Sequence, residues 1–267
     1  MANNIEIRQL FTTEQLADTQ KIERAVWNME PIPLHQTFTA VKNGGIVLGA
    51  YVDKKMVGYV YGFPGFSEGK IYLCSHMLAI LPEYRGKKIG ETLKIEQANV
   101  ARQFGYSLMT WTFDPLESRN AHLNLNKLRA RGAIYSPNHY GELKDDLNQG
   151  LPSDRLIIEW ELNEQPLEPI QSVEKDYLLL DVNAKDEPIM TKVFQQDNLP
   201  SSQVFFAKIP LNFQTIKREN FELATRWRLM TRRIFVRLFK DGYQATDVIF
   251  NDDYSWGYYV LRKISVV

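Results

Sequence analysis

Lys70–Ile80 carries apolar side chains in both phases of the strand period. Ile71, Leu73, Met77 and Ala79 fall on one face of such a strand, and Tyr72, Cys74, Leu78 and Ile80 on the other. A strand that is apolar on both faces has to be covered on both. The segment therefore predicts a central strand with helices packed on each side, and Pro82 ends it.

The flanking patterns supply the cover. Period-two alternation predicts a strand over Ile5–Leu10, and Ile46–Tyr51 and Met56–Phe63 read as two strands joined by the turn Asp53-Lys54-Lys55. Thr12 or Thr13 can cap a helix running to about Trp27, and a shorter helix fits Leu34–Lys42. Beyond Pro82 a helix is expected from Ile89 to about Phe104, closed by Gly105. A strand over Tyr106–Phe113 follows, then a helix over Ser118–Arg131 with Ser118 as its N-cap. Strands at Ala133–Tyr135 and Asp154–Leu162 close this half. Asn163–Glu174 contains Pro166 and Pro169, shows no periodicity, and reads as a linker. The domains expected are 1–163 and 175–267.

Hydrophobic residues make up 44% and charged residues 24%, a globular balance. The net charge of zero gives no global pull toward nucleic acid or membrane. Cys74 is the only cysteine, which excludes an internal disulfide and a cysteine-rich zinc site. No metal is expected. The amino terminus lacks a basic start with an apolar run, and no stretch approaches the ~18 apolar residues of a membrane span. The expectation is a cytoplasmic protein.

Chemistry concentrates where the central strand stops. Leu81-Pro82-Glu83-Tyr84-Arg85-Gly86-Lys87-Lys88-Ile89-Gly90 is a basic, glycine-containing loop that opens a helix. The first N–H groups of a helix lack intrahelical partners and, with the helix dipole, attract anions. Glycine allows close backbone approach, and Arg85, Lys87 and Lys88 add charge. The combination suits a pyrophosphate; a surface turn with basic residues would look similar. Neither G-x-G-x-x-G nor G-x-x-x-x-G-K-[ST] occurs here.

Loop and element order together resemble the GNAT (GCN5-related N-acetyltransferase) superfamily from Ile5 to about Leu162. Pro82, Tyr84, Arg85, Gly86, Ile89 and Gly90 match its P-x-Y-R-G-x-G-I-G loop, while Lys88 replaces the middle glycine. Ser75–Ala79 and Thr110–Leu128 are similar to a bacterial subgroup of acetyltransferases of about this length. The resemblance implies a mixed, mostly antiparallel α/β (α+β) sheet flanked by helices, here with a smaller α+β carboxy-terminal domain. It implies acetyl-CoA as co-substrate and transfer to a primary amine of a small molecule or amino acid in a ternary complex. Succinyl-CoA or another longer donor, or a non-catalytic acyl-CoA sensor, are the alternatives.

The resemblance also assigns roles. Arg85, Gly86, Lys87, Lys88, Ile89 and Gly90 would hold the coenzyme phosphates. Backbone groups of Met77, Leu78 and Ile80 would bind the pantetheine arm, with the Leu78 N–H on the oxyanion. Asn120 would contact the coenzyme or simply start its helix. His76 is the first candidate for general base, with Glu83 and Asp114 behind it; Asp114 could equally start the turn at Pro115. The family's usual acid tyrosine is missing from Ser118–Arg131, which leaves Tyr140, Tyr135 or water. Cys74 reads as a packed core residue.

In the carboxy-terminal third, strands are expected at Tyr177–Val182, Glu187–Met190, Val204–Ile209, Tyr243–Asn251 and Gly257–Arg262. A long helix is expected over Ile216–Lys240. Its eight basic residues outnumber two acidic ones, a segment charge of +6. Leu223, Trp227, Met230, Ile234 and Leu238 form its apolar stripe. The arginines could bind an anionic acceptor, coenzyme phosphates or nucleic acid, or form an ion-paired face. Because the whole chain is neutral, no nucleic-acid or membrane partner is expected; a homodimer is allowed.

Overall fold

The computed structural model describes residues 5–142 and 150–264. Met1–Asn4, on which the leader reading partly rests, lie outside the described residues. The chain divides into two compact units. The first runs to Trp111 and takes in Trp160–Glu164; the second comprises Thr112–Glu159 and the chain from Gln165 onward.

In the first unit, β1 (Glu6–Gln9), β2 (Ile46–Val52), β3 (Lys55–Ser67) and β4 (Lys70–Ile80) pair antiparallel in sequence order. β5 begins at Leu108 and runs parallel to β4, with Leu73 opposite Met109 and Cys74 opposite Thr110. Helices α1 (Thr13–Trp27) and α2 (Leu34–Lys42) cover one face through Leu16, Ile22, Val47, Tyr59, Tyr61 and Ala79. Thr12 caps α1 in a reciprocal box with Gln15. Helix α3 (Ile89–Gln103) buries Ile89, Leu93, Ala98 and Ala101 on its side of the sheet. Gly105, at φ +86°, terminates it, donating its N–H to the Arg102 carbonyl.

In the second unit the strand order is β7 (Arg155–Glu161), β6 (Arg131–Ser136), β11 (Tyr243–Phe250), β12 (Trp256–Lys263), β10 (Val204–Pro210), β8 (Leu178–Val182), β9 (Pro188–Met190). All neighbours are antiparallel except β8 and β10. No helix among the described residues is long and apolar enough to cross a membrane.

Three expectations are corrected. The helix expected over Ser118–Arg131 is shorter: one turn of α4 (Ser118–Ala121) passes into a π-helix over His122–Lys127. Arg129, at φ +57°, leaves the helical conformation ahead of β6. Ser118 does not cap it, because its hydroxyl donates to the Leu211 carbonyl instead. The long helix over Ile216–Lys240 is two, α5 (Phe213–Glu219) and α6 (Phe221–Lys240). Asn220 sits between them at φ −147°, ψ 85°, and its side-chain oxygen accepts the Leu223 N–H at 3.0 Å. Asparagine satisfies a helix-start donor better than it propagates a helix. Finally, α6 buries Trp227, Ile234 and Leu238 as expected, but with Arg228 and Thr231 rather than Met230.

Asn220→Ala removes the cap without touching the core. It is expected to lower stability by about 1 kcal/mol, read from the denaturation midpoint at an unchanged slope.

Candidate functional site

An insertion in β4 sets the geometry of the first unit. From Phe63 to Tyr61, two steps along β3, β4 advances three, from Cys74 to Met77. This β-bulge resets the alternation. Met77 and Ala79 join the core under α1 and α2. Leu78 turns toward α3, where a Cβ on Gly90 would meet its side chain at 3.6 Å. Leu73 lies against the α3 side as well, near Gly62 and Gln97. The expected grouping of Leu73 with Met77 and Ala79 is therefore corrected. Neither is the strand fully covered: Leu73, Ser75 and Ala79 are buried, but Cys74, Met77, Leu78 and Ile80 are half-buried and His76 is exposed.

His76 sits at the bulge. Its ring meets Tyr61 edge-on at 6.3 Å and Phe63 at 5.6 Å. Crowding by these neighbours strips part of its hydration and lowers its pKa below the usual 6.5. One side of the ring still meets solvent, so at neutral pH it is an accessible, uncharged proton acceptor. Burial pushes the Cys74 thiol up, which argues against a thiolate nucleophile.

After β4, Pro82–Tyr84 make a 3-10 turn and Arg85 is extended. Gly86 takes φ +77° and Lys88, as N-cap of α3, takes φ +60°. Lys88 thus adopts the left-handed conformation that a glycine at this position would take freely, at a cost of roughly 1 kcal/mol. The loop keeps its shape and gains a cation. The first N–H of α3 to reach back is that of Thr92, onto the Lys88 carbonyl at 3.0 Å. Earlier N–H groups have no intrahelical acceptor. Arg85 donates its Nε–H to the Ile80 carbonyl at 3.2 Å, tying the loop to the end of β4. Lys87 rests its ammonium over the Tyr84 ring at 4.7 Å. Arg85, Gly86, Lys87 and Lys88 are all exposed. This open, cationic helix start fits a pyrophosphate.

Beneath β4 lies a polar cluster that no sequence motif announces. Lys94 on α3 is fully buried, donates to the Ser75 hydroxyl at 2.8 Å, and lies over the Trp111 ring at 3.5 Å. Ser75 in turn donates to Gln97 at 2.5 Å. Burial drives the Lys94 pKa well down, only partly opposed by Cys74. Its place on the inward face of α3 was the one signal the sequence carried.

The other expected residues belong to the second unit. Asp114 accepts the Leu116 N–H at 2.9 Å, building the turn at Pro115, and accepts a hydrogen bond from Arg228 on α6. Tyr140 is exposed, and its hydroxyl shares a hydrogen bond with the Thr112 hydroxyl at 3.0 Å. The Arg155 guanidinium lies over its ring at 5.3 Å. Tyr135 is buried and donates to Asp154; burial and that carboxylate push its pKa up, so it is a structural donor. Burial works to raise the Asp154 carboxyl, but hydrogen bonds from Arg232 and Tyr135 hold it below the usual range. Asn120 is exposed in the first turn of α4.

At least half of the eight expected basic residues are held by partners within the unit, and Arg228 alone is buried. Arg228 meets Asp114, Arg232 meets Asp154 at 2.5 Å, and Arg226 meets Glu187 at 3.3 Å. Arg237 donates to the carbonyls of Phe194, Gln196 and Asp197.

Residues 6–123 match the Acetyltransferase (GNAT) family. No curated protein matches the sequence. Among solved structures, the chain is similar to yncA of Salmonella typhimurium, solved with its cofactor acetyl-CoA (17% identity, 62% of this chain and 98% of that one, TM-score 0.49). It is also similar to the ribosomal-protein-S18-alanine N-acetyltransferase of Escherichia coli (14%, 62% and 99%, TM-score 0.47). A third is a GNAT-family acetyltransferase of Streptococcus pneumoniae (13%, 59% and 99%, TM-score 0.48).

The buried Lys94 has a measurable consequence. Its folded pKa lies below the unfolded 10.5, so the unfolded chain binds more protons and stability rises with pH toward 10.5. Lys94→Met is expected to remove that part of the pH slope and to stabilise the chain at pH 7 by about 1 kcal/mol, read by urea unfolding from pH 7 to 10.

Proposed function

We propose that this chain, whose residues 6–123 match the Acetyltransferase (GNAT) family, is a cytoplasmic enzyme that transfers an acyl group from acyl-CoA to a primary amine, with acetyl-CoA as donor. The loop from Leu81 to Gly90 carries this reading: two left-handed positions, Gly86 and Lys88, separated by Lys87, lead into an open helix start ringed by three cations.

In this proposal Arg85, Lys87, Lys88 and the backbone N–H groups around Gly86, Ile89 and Gly90 bind the coenzyme pyrophosphate. Backbone groups of Met77, Leu78 and Ile80, on the half-buried end of β4, bind the pantetheine arm. The Leu78 N–H stabilises the oxyanion formed when the amine attacks the thioester carbonyl. His76 takes the proton from the attacking amine. Tyr140 is the donor to the departing thiolate, Asn120 a coenzyme contact, and Asp114 an acceptor-side group. Attack is direct, since the Cys74 thiol is held protonated by its surroundings.

Calorimetry with acetyl-CoA tests the loop. Micromolar binding is expected for the native chain, with about a tenfold loss or more in Arg85→Ala/Lys88→Ala and a smaller loss in Lys88→Gly, which removes one cation but keeps Arg85 and the left-handed backbone. Succinyl-CoA is titrated in parallel. No binding of either by folded protein removes the proposal; binding without thiol release across a panel of amines favours a sensor.

The base has its own test. The depressed pKa predicts that kcat/KM with acetyl-CoA and a primary amine falls with acid, with its inflection below 6.5. His76→Gln is expected to abolish that limb and slow turnover by about a hundredfold. An unchanged limb assigns the base elsewhere.

A further inference from the structure

Between α3 and the edge strand β1 the first unit keeps a groove of about 360 Å³, at the lower end of the sizes that take a small molecule. Thr92, Glu96 and Val100 line it from α3, one turn apart on the same side of the helix. Ile7 and Gln9 line it from β1, with Ile5 just before the strand. Leu48 of β2, opposite Gln9, forms the floor. Glu6 and Arg8 alternate to the other face of β1, where they pair with each other and Arg8 lies over the Tyr51 ring.

The groove has apolar walls and one charge. Ile5, Ile7 and Val100 are half-buried, as are the three polar residues among them. The Glu96 carboxylate and the Gln9 amide meet no hydrogen-bond or ionic partner among the described residues. A carboxylate partly withdrawn from water between apolar walls suits a single positive charge carried on an apolar body. A calcium or magnesium ion would call for more oxygen ligands and make no use of the walls. An anion would be repelled.

We propose that this groove is a regulatory site for a protonated amine with a short alkyl or aryl body. The ammonium donates to the Glu96 carboxylate and to the Thr92 Oγ1, and the body lies against Ile5, Ile7 and Val100. The ligand is not the acyl acceptor, because β1 is three strands from β4, roughly 14 Å at ordinary strand spacing. Thr92 connects the site to the basic loop. Its hydroxyl donates to the Lys88 carbonyl at 3.2 Å and its N–H to the same oxygen at 3.0 Å. Lys88 is the left-handed N-cap of α3. An ammonium donating to the Thr92 oxygen polarises that hydroxyl and strengthens its bond to Lys88, so occupancy of the groove favours the loop shape that meets the coenzyme. This coupling rests on reading the loop as the coenzyme site; the amine site itself does not.

The probe is N,N-dimethylphenethylammonium, whose nitrogen has one N–H to donate and cannot be acylated to an amide. Calorimetry with the full chain is expected to show sub-millimolar binding. Phenethyl alcohol, neutral and of similar shape, and the Glu96→Gln variant are each expected to lose about tenfold or more. Saturating probe is expected to tighten acetyl-CoA binding about fivefold, and acetyl-CoA to tighten probe binding by the same factor. In Thr92→Val the two titrations become independent. No binding of the probe by folded protein, or equal binding by the alcohol or by Glu96→Gln, overturns the site. Binding of probe and acetyl-CoA without mutual effect keeps the site and overturns the coupling. Probe binding lost in Glu96→Gln, with no acetyl-CoA binding at all, keeps the site and removes the acyltransferase reading instead.

Discussion

The chemistry of the first unit depends on one extra residue in β4. Without the bulge between Cys74 and Met77, strict alternation would put Met77 and Ala79 with Leu73 on the α3 side. With it, the pleat resets where His76 projects, and the strand ends with half-buried apolar residues instead of a sealed face. A central strand buried on both faces has nothing to offer a ligand. One whose last turns stay open offers a backbone edge and an apolar wall together. The bulge is thus what leaves this end of the strand partly uncovered.

The loop that follows relies on the same strand for its position. Arg85 holds the Ile80 carbonyl, and the left-handed Gly86 and Lys88 aim the start of α3 outward. Lysine at a left-handed position is disfavoured, and the position holds because α3 is anchored below by Ile89 and Leu93. Local strain is tolerated where surrounding packing over-determines the backbone. The same helix buries Lys94 against Ser75 and Trp111, so a single element presents an open cationic terminus and a desolvated amine.

In the second unit, an ion-pair network is set within an otherwise apolar interior. Arg228, Arg155 and Arg232 are matched against Asp114 and Asp154, with Tyr135 completing the network. Such groups are costly to bury and define geometry closely when they are paired.

Most elements were legible in the sequence because apolar periodicity and turn chemistry are local. Leu34–Lys42 and Lys70–Ile80 end where the pattern ends, and the loop from Leu81 to Gly90 shows its cationic, glycine-containing character in residue type alone. What escaped has no local signature. A bulge depends on the partner strand's register, so β4 alone could not reveal it. The break at Asn220 depends on whether a cap outweighs propagation. Eight basic residues on one segment read as a charged face; only the fold places Asp114 and Asp154, more than 70 residues away from their arginines, where they draw those side chains inward. The sequence by itself determined most element types, the central strand and the cationic, glycine-containing loop. The tertiary structure decided which side chains lose their water, because burial is a property of neighbours that are distant along the chain.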